Sequence, residues 1–450
     1  MMKTDSDNGL FALSARWLLP IAGPPLSAAA LVIDGQRIKA VDDRQSLSRH
    51  YPGLPVRDYG EAIIAPGLIN LHTHLDYTAL RHFDTQAGFF PWIRGLVARA
   101  FPWTSDQWRA SALTGAREVA LSGTTCVADS SYSGAAAWAL SRLGLRAVVG
   151  LELFGIASDQ AGRVWSEWLG KLESLQSQAD SELYQALASG LIKLTVAPHA
   201  PYTVCPDLWE LANCWAENQS LPVLAHISES ESECRWLAGT DQQVEEFLRD
   251  MLPGGLPDNG LSWQGNGLTP VAHLDRYNLL RPNTLAAHGV HLLASDIALI
   301  AERQVKLAHC PRSNARLRNG VAPLRALLDQ AVEIGFGTDS AASTDDLNVL
   351  SEARFAWNLQ RALIPDFAYD SQEAVYRLTL GAAKILGLGE SIGSLEPGKL
   401  ADVAVFSIKP DAPFAADRPF DLLLYGQAEL RDLFVNGVEL IRDGDVKMAP

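Results

Sequence analysis

PGLINLHTHLD, residues 66–76, is the stretch on which the reading of this chain turns. An apolar run ends there in two histidines, His72 and His74, one residue apart. Residues i and i+2 of a strand point to the same side, roughly 6.5 to 7 Å apart along the backbone. Two imidazoles at that spacing can pinch one metal ion, yet two buried strand residues would read the same way. Partners elsewhere in the chain have to decide between the two.

Seven further apolar runs follow: 124–129, 145–153, 191–199, 221–226, 283–288, 305–309 and 331–339. Helix-like stretches such as 106–122 and 207–219 lie between them. Continuous apolar strands separated by long crossovers predict a parallel (β/α)8 barrel of the TIM type. Counting 62–72 as the first, six runs end in His or Asp: His72 with His74, His199, His226, His288, His309 and Asp339; Asp129 ends a seventh. Active sites of such barrels sit at the carboxyl ends of the strands, so these side chains are expected at one mouth. A third imidazole, His226, and a carboxylate, Asp339, would complete an N3O ligand set with one position left for water.

Both ends of the chain carry strand and turn signals instead. Residues 31–42 form a hairpin candidate around Asp34-Gly35, while 394–406 and 430–440 repeat the style with Pro397-Gly398 and Asn436-Gly437. We expect a composite β-sandwich built from residues 1–60 plus 391–450, with the barrel, 61–390, inserted between its halves. Either half alone would have little core.

Bulk properties narrow the function. Of 450 residues, 48% are apolar and 20% charged, a balance that allows a substantial core. The formal net charge of −15, with no basic run, argues against nucleic acid and against an anionic membrane surface. Five cysteines without a C-x-x-C pair suggest reduced thiols, and the polar N-terminus lacks signal-peptide character, so a cytoplasmic location is expected. GESIG (389–393) matches a nucleophile-elbow pattern, but it follows a helix-like stretch where that motif needs a strand.

The segments PGLINLHTHLD, PHAPYTVCP (198–206), LAHISESESE (224–233), AAHGVHL (286–292), LAHCPRSNARL (307–317) and GFGTDSAAS (335–343) together resemble the amidohydrolase superfamily. The branch is the one containing chlorohydrolases, methylthioadenosine/S-adenosylhomocysteine deaminases and aminodeoxyfutalosine deaminases. GSLEPGKLADVAVF (393–406) is similar to part of the β-sandwich those enzymes carry. The resemblance implies one divalent ion, zinc or else iron, on His72, His74, His226 and Asp339. Lys193 lies too early on its strand to stand for the bridging lysine of binuclear relatives. Glu229 is implied as proton shuttle, His288 as the residue that stabilises the developing oxyanion, and Asp339 as part of the catalytic set. Trp92, His199 and Ser343 are implied substrate contacts, and His291 and His309 are expected to be structural.

The expected reaction is attack of an ion-activated water on the ring carbon of an amino-substituted N-heterocycle, releasing ammonia. Asp76 in HTHLD and Ser340 in GTDS depart from the HTHAAM and GTDG of the methylthioadenosine/S-adenosylhomocysteine group. They point toward the aminodeoxyfutalosine side, and a 6-aminopurine nucleoside is the first substrate class. The alternative keeps the site and changes the leaving group, to chloride or alkylamine on a triazine-like ring, or to a cyclic amide. The partner is thus a small molecule, and a homodimer is the assembly that the resemblance suggests.

Overall fold

Gly67 divides the apolar run 62–72 into two strands with different fates. A side chain there would meet Thr125, whose Oγ1 lies 2.0 Å from where a Cβ would stand. Ala62–Pro66 pairs antiparallel with Val403–Ser407 and parallel with Phe11–Leu18, while Leu68–Thr73 pairs parallel with Thr124–Ser131. The computed structural model describes residues 9–83, 88–177, 180–239, 241–251, 256, 261–367, 370–408, 417–426 and 428–447.

Ala62–Pro66 joins the two ends of the chain into one nine-stranded sheet. On one side of it stand Phe11–Leu18, Leu26–Asp34 and Arg37–Asp43, with Val56–Asp58 paired to Phe11–Leu18; on the other stand Val403–Ser407, Glu429–Val435, Val438–Arg442 and Asp445–Val446. The hairpin at 31–42 forms with its turn one residue later than the sequence suggests. Asp34 pairs with Arg37, so the loop is Gly35-Gln36, and Gly35 takes the positive φ of 57° that a tight turn requires. At the other end Asn436 and Gly437, with φ of 50° and 72°, close Val435 onto Val438 as their residue types predict.

The middle of the chain is an α/β structure with two four-stranded parallel sheets, each in sequence order. The first holds Leu68–Thr73, Thr124–Ser131, Arg146–Leu153 and Ile192–Pro198; the second holds Val223–Ile227, Thr284–His288, Lys306–His309 and Ile334–Phe336. Helices such as Ser105–Leu121 and Pro206–Asn218 cross between strands, close to the expected spans. The run 331–339 is strand only over three residues, because Ala331, with φ of 54°, and Asp339, with φ of 60°, interrupt the extended backbone.

Hydrogen bonds link the two sheets at both seams. His226 N–H donates to the His199 carbonyl at 2.8 Å, and Asp339 N–H donates to the His72 carbonyl at 2.9 Å. At the second seam Gly337 is necessary, since a Cβ there would lie 2.6 Å from His72 Cβ. Ile69, Leu71, Cys126, Ala197, Leu224 and Leu285 share one apolar cluster, which Ala382 and Ile385 of the helix Leu380–Ile385 complete. All five cysteines are free. Among the described residues no helix is long and apolar enough to cross a membrane. GESIG falls in a turn after Leu380–Ile385, outside any strand-to-helix elbow.

Candidate active site

Strand ends carry the chemistry because only there does the backbone leave the ladder and turn side chains toward the mouth. His288 and Asp339 take positive φ values of 75° and 60°, and Ser228, between His226 and Glu229, takes 56°. Such backbone is costly for residues other than glycine, and it recurs where side chains must be aimed. The result is a buried cluster drawn from strands far apart in sequence.

His74 Nε2 lies 3.0 Å from His226 Nε2, and both His72 Nε2 and His74 Nε2 lie 3.7 Å from Asp339 Oδ1. His226 Nδ1–H donates to the His199 carbonyl at 2.7 Å, which leaves its Nε2 lone pair facing His74. Burial pushes His72 and His226 well below the usual imidazole range and lowers His74 and His288. Burial also works to raise Asp339, but its histidine neighbours and the Ser313 hydroxyl outweigh it and keep the carboxyl ionised. The Asp339 Oδ2 accepts from Ser313 Oγ at 2.5 Å and Ser343 Oγ at 3.0 Å; Oδ1 accepts from Ser340 N–H at 2.7 Å.

Neutral imidazoles converging on an ionised carboxylate have the donor chemistry of a divalent transition-metal site. His72 Nε2 is buried with no hydrogen-bond partner among the described residues, so a cation is the simplest group that satisfies it. His72, His74 and Asp339 offer ligand atoms within 4.8 Å of one another, as do His72, His226 and His288. The residues present fit the implied metal.

Glu229 and His288 flank this cluster, with Glu229 Oε2 3.7 Å from His288 Nε2. Burial, then the charges of Asp339 and Glu233, raise the Glu229 carboxyl well above the ordinary range. Asn319 Nδ2 donates to Glu229 Oε1 at 3.1 Å, and His288 Nδ1–H donates to Asn314 Oδ1 at 2.9 Å. Glu233, in the first turn of the helix Glu231–Leu237, is fully buried and accepts from the backbone N–H groups of Ser228 and Glu229. Burial lifts it to about 7.

His74, His226, Glu229, His288 and Asp339 open onto one cavity of about 780 Å³. Its wall includes Trp92, buried on the helix Phe89–Ala100, and His199, whose Nδ1 contacts Thr203 Oγ1 at 2.9 Å. The Trp92 indole nitrogen has no partner among the described residues. Ser343 is fully buried and its hydroxyl serves Asp339, while Ser340 lines the cavity. Asp76 is also fully buried, accepting from Ser131 Oγ, Ser133 N–H and Ser133 Oγ. Asp129 accepts from Thr73 Oγ1 and Leu75 N–H, and burial with the Asp76 charge lifts it to about 8. Lys193, second residue of its strand, is half-buried at the end away from the mouth. His291 Nε2–H holds the Asn319 carbonyl at 2.7 Å, and His309 lies buried behind the cluster.

Sequence reasoning missed Glu152, Asn314, Asn319 and Ser313. Glu152 is the penultimate residue of the strand Arg146–Leu153, and a charged residue so near a strand end was the available signal. The asparagines sit in loops and a short helix, where that residue type is ordinary.

Residues 63–423 match the model of the amidohydrolase family. The 5-methylthioadenosine/S-adenosylhomocysteine deaminase of Nitratidesulfovibrio vulgaris is 31% identical over 423 residues, covering 92% of this chain and 87% of that protein. The crystal structure of an adenosine deaminase from Xanthomonas campestris, with bound zinc, superposes with a TM-score of 0.77 at 26% identity, covering 98% of this chain and 94% of the other. The zinc complex of atrazine chlorohydrolase from Arthrobacter aurescens TC1 superposes with a TM-score of 0.79 at 22% identity, covering 98% and 97%. A family match over most of the chain, joined to a mouth built from the same strand-end histidines and aspartate that carried the resemblance, makes this protein a member of the amidohydrolase family.

Proposed function

We propose that this protein is an aminohydrolase that replaces the exocyclic amine of a 6-aminopurine nucleoside, or a closely similar N-heterocycle, with oxygen. One observation carries the reading: Glu229 and His288 stand side by side over the His72, His74, His226 and Asp339 cluster, facing a cavity large enough for a nucleoside. The family relation supports it, as does the deaminase activity for which the Nitratidesulfovibrio and Xanthomonas relatives are named.

His72, His74, His226 and Asp339 would hold a single divalent ion, zinc in our reading. Such an ion acts as a Lewis acid that lowers the pKa of water toward neutrality. The remaining work belongs to the chain's own groups. Glu229, held by Asn319, moves protons: one to the ring nitrogen beside the reacting carbon, and one to the amine as it leaves as ammonia. His288, oriented by Asn314, presents Nε2 to the oxygen that builds up charge as water adds. Trp92 and His199 bound the heterocycle, and Ser343 acts through Asp339.

The seam bonds and the shared interior cluster support a closed eight-stranded barrel. The nine-stranded sheet supports a second unit of residues 1–60 plus 391–450, with Ala62–Pro66 as the strand that hands over to the barrel.

An ammonia-release screen over aminopurine nucleosides, pterins, cytosines and triazines tests the reading. Ammonia from an aminopurine nucleoside is the expected result. Silence across the panel, with chloride, alkylamine or ring-opened amide products instead, would move the assignment to another leaving group on the same site.

A further inference from the structure

We propose that Glu152 is the carboxylate that recognises the sugar of the substrate, by accepting hydrogen bonds from two adjacent hydroxyls; the inference rests on the nucleoside reading above. Glu152 shares the inward face of its strand with Gly150, where a Cβ would lie 2.9 Å from Ala197 Cβ. It therefore projects into the barrel mouth and lines the cavity. Only 3% of its side-chain surface is exposed.

Among the described residues, no hydrogen bond reaches that carboxyl group, and the Lys171 ammonium acts on it through charge alone. His74 Nδ1 is 3.9 Å from Oε1, beyond hydrogen-bond range. Lys171 Nζ donates to the Tyr132 carbonyl. Burial raises the Glu152 carboxyl well above the ordinary range, and a ligand that brings donors into the cavity favours its ionised, accepting form.

The position fits a part of the nucleoside other than its reacting ring. Glu229 groups with His288 and Asp339, whereas Glu152 groups with His74 and His226. A substrate whose reacting ring lies against Glu229 thus reaches Glu152 with another part. Charge narrows what that part carries. Carboxylates Asp159, Glu167, Glu229 and Asp339 line the same cavity, and Arg163 on its wall pairs with Glu167 at 2.5 Å and Gln160 at 2.8 Å. A substituent with its own carboxylate would find no uncommitted cation among the described lining residues. Neutral hydroxyls meet two acceptor oxygens at Glu152 without charge repulsion.

The test compares adenosine with 2′,3′-dideoxyadenosine for the wild type and Glu152→Gln. Wild type should favour adenosine at least roughly tenfold in kcat/KM, as a site built to bind hydroxyls rejects analogues that lack them. Glu152→Gln should lose roughly tenfold to a hundredfold on adenosine, mostly in KM, and change by under about threefold on the dideoxy compound. Its metal content should stay at the wild-type level. Equal use of both nucleosides by wild type overturns the proposal without any variant. So does a Glu152→Gln loss shared by both substrates, no loss on either, or a loss of metal, which would make Glu152 a positioning residue for His74. If wild type releases ammonia from no aminopurine nucleoside, the nucleoside reading itself fails and this inference falls with it.

Discussion

Glu229 is where a single atom pair carries the proposed chemistry. Replacing it with Gln keeps the volume and the Asn319 contact but removes the exchangeable proton. Glu229→Gln should retain about one equivalent of metal per chain by elemental analysis while kcat falls on the order of 10²- to 10⁴-fold. Near-normal turnover would remove Glu229 from the shuttle role, and two equivalents would overturn the single-ion reading. The histidines of the site were legible in the sequence because a polar residue at the end of an apolar run is unusual and the pattern recurs. Glu152 stands one residue before the end of such a run, and between apolar neighbours it draws less notice than a histidine pair. Asn314 and Asn319 were invisible, since their roles arise from which loops the fold brings beside Glu229 and His288. Of the two substrate markers in the sequence, Ser340 lines the cavity while Asp76 is held in a hydrogen-bond network behind the mouth; the hydroxyl of Ser343, an implied substrate contact, donates to Asp339.

At the scale of elements, close backbone approach sets the position of the first two candidate ligands. The last strand of the second sheet packs against His72 through Gly337, where a Cβ would also fall 2.9 Å from the His72 backbone nitrogen. Gly337→Ala should cost about 1–3 kcal/mol, as overpacking in a well-filled interior does. It should also reduce bound metal, read by chemical denaturation and elemental analysis together. Gly170 makes the contrasting case. It lies inside the helix Ala161–Ser177 with nothing within 4 Å of an added Cβ, so Gly170→Ala should stabilise by about 0.5–1 kcal/mol. Strand and helix existence followed from periodicity, and the boundaries of Ser105–Leu121 and Pro206–Asn218 lay within about a residue of expectation. Two features were not readable by period. The run 62–72 looks like one strand, because Gly67 breaks it through a contact with Thr125 on another strand. The Asp34-Gly35 signal was correct as a turn, but register against Arg37–Asp43 moved the loop to Gly35-Gln36.

For the molecule as a whole, a buried ion pair fastens the nine-stranded sheet to the parallel sheets. Arg146, on a strand of the first parallel sheet, donates from Nε to Asp402 Oδ2 at 2.9 Å and from Nη2 to Oδ1 at 3.1 Å. Asp402 also accepts from Asn436 N–H at 2.9 Å. Asp402→Ala leaves the guanidinium buried without its counter-charge and should destabilise by about 3–5 kcal/mol, measured as a lowered denaturation midpoint. The turn signals at 397–398 and 436–437 announced strands at the C-terminal end, but not that they share a sheet with the first strands; that pairing is set by Ala62–Pro66. The same strand has a consequence for how the chain is made. Synthesis proceeds from the N-terminus, so Val403–Ser407 leaves the ribosome some 340 residues after the strand it pairs with. Until then Ala62–Pro66 has one bare edge, and Asp339, the partner of His72 across the seam, is also still to come for most of that interval. The growing chain therefore carries a histidine pair that no scaffold yet holds, and the candidate metal site is complete only in finished chains.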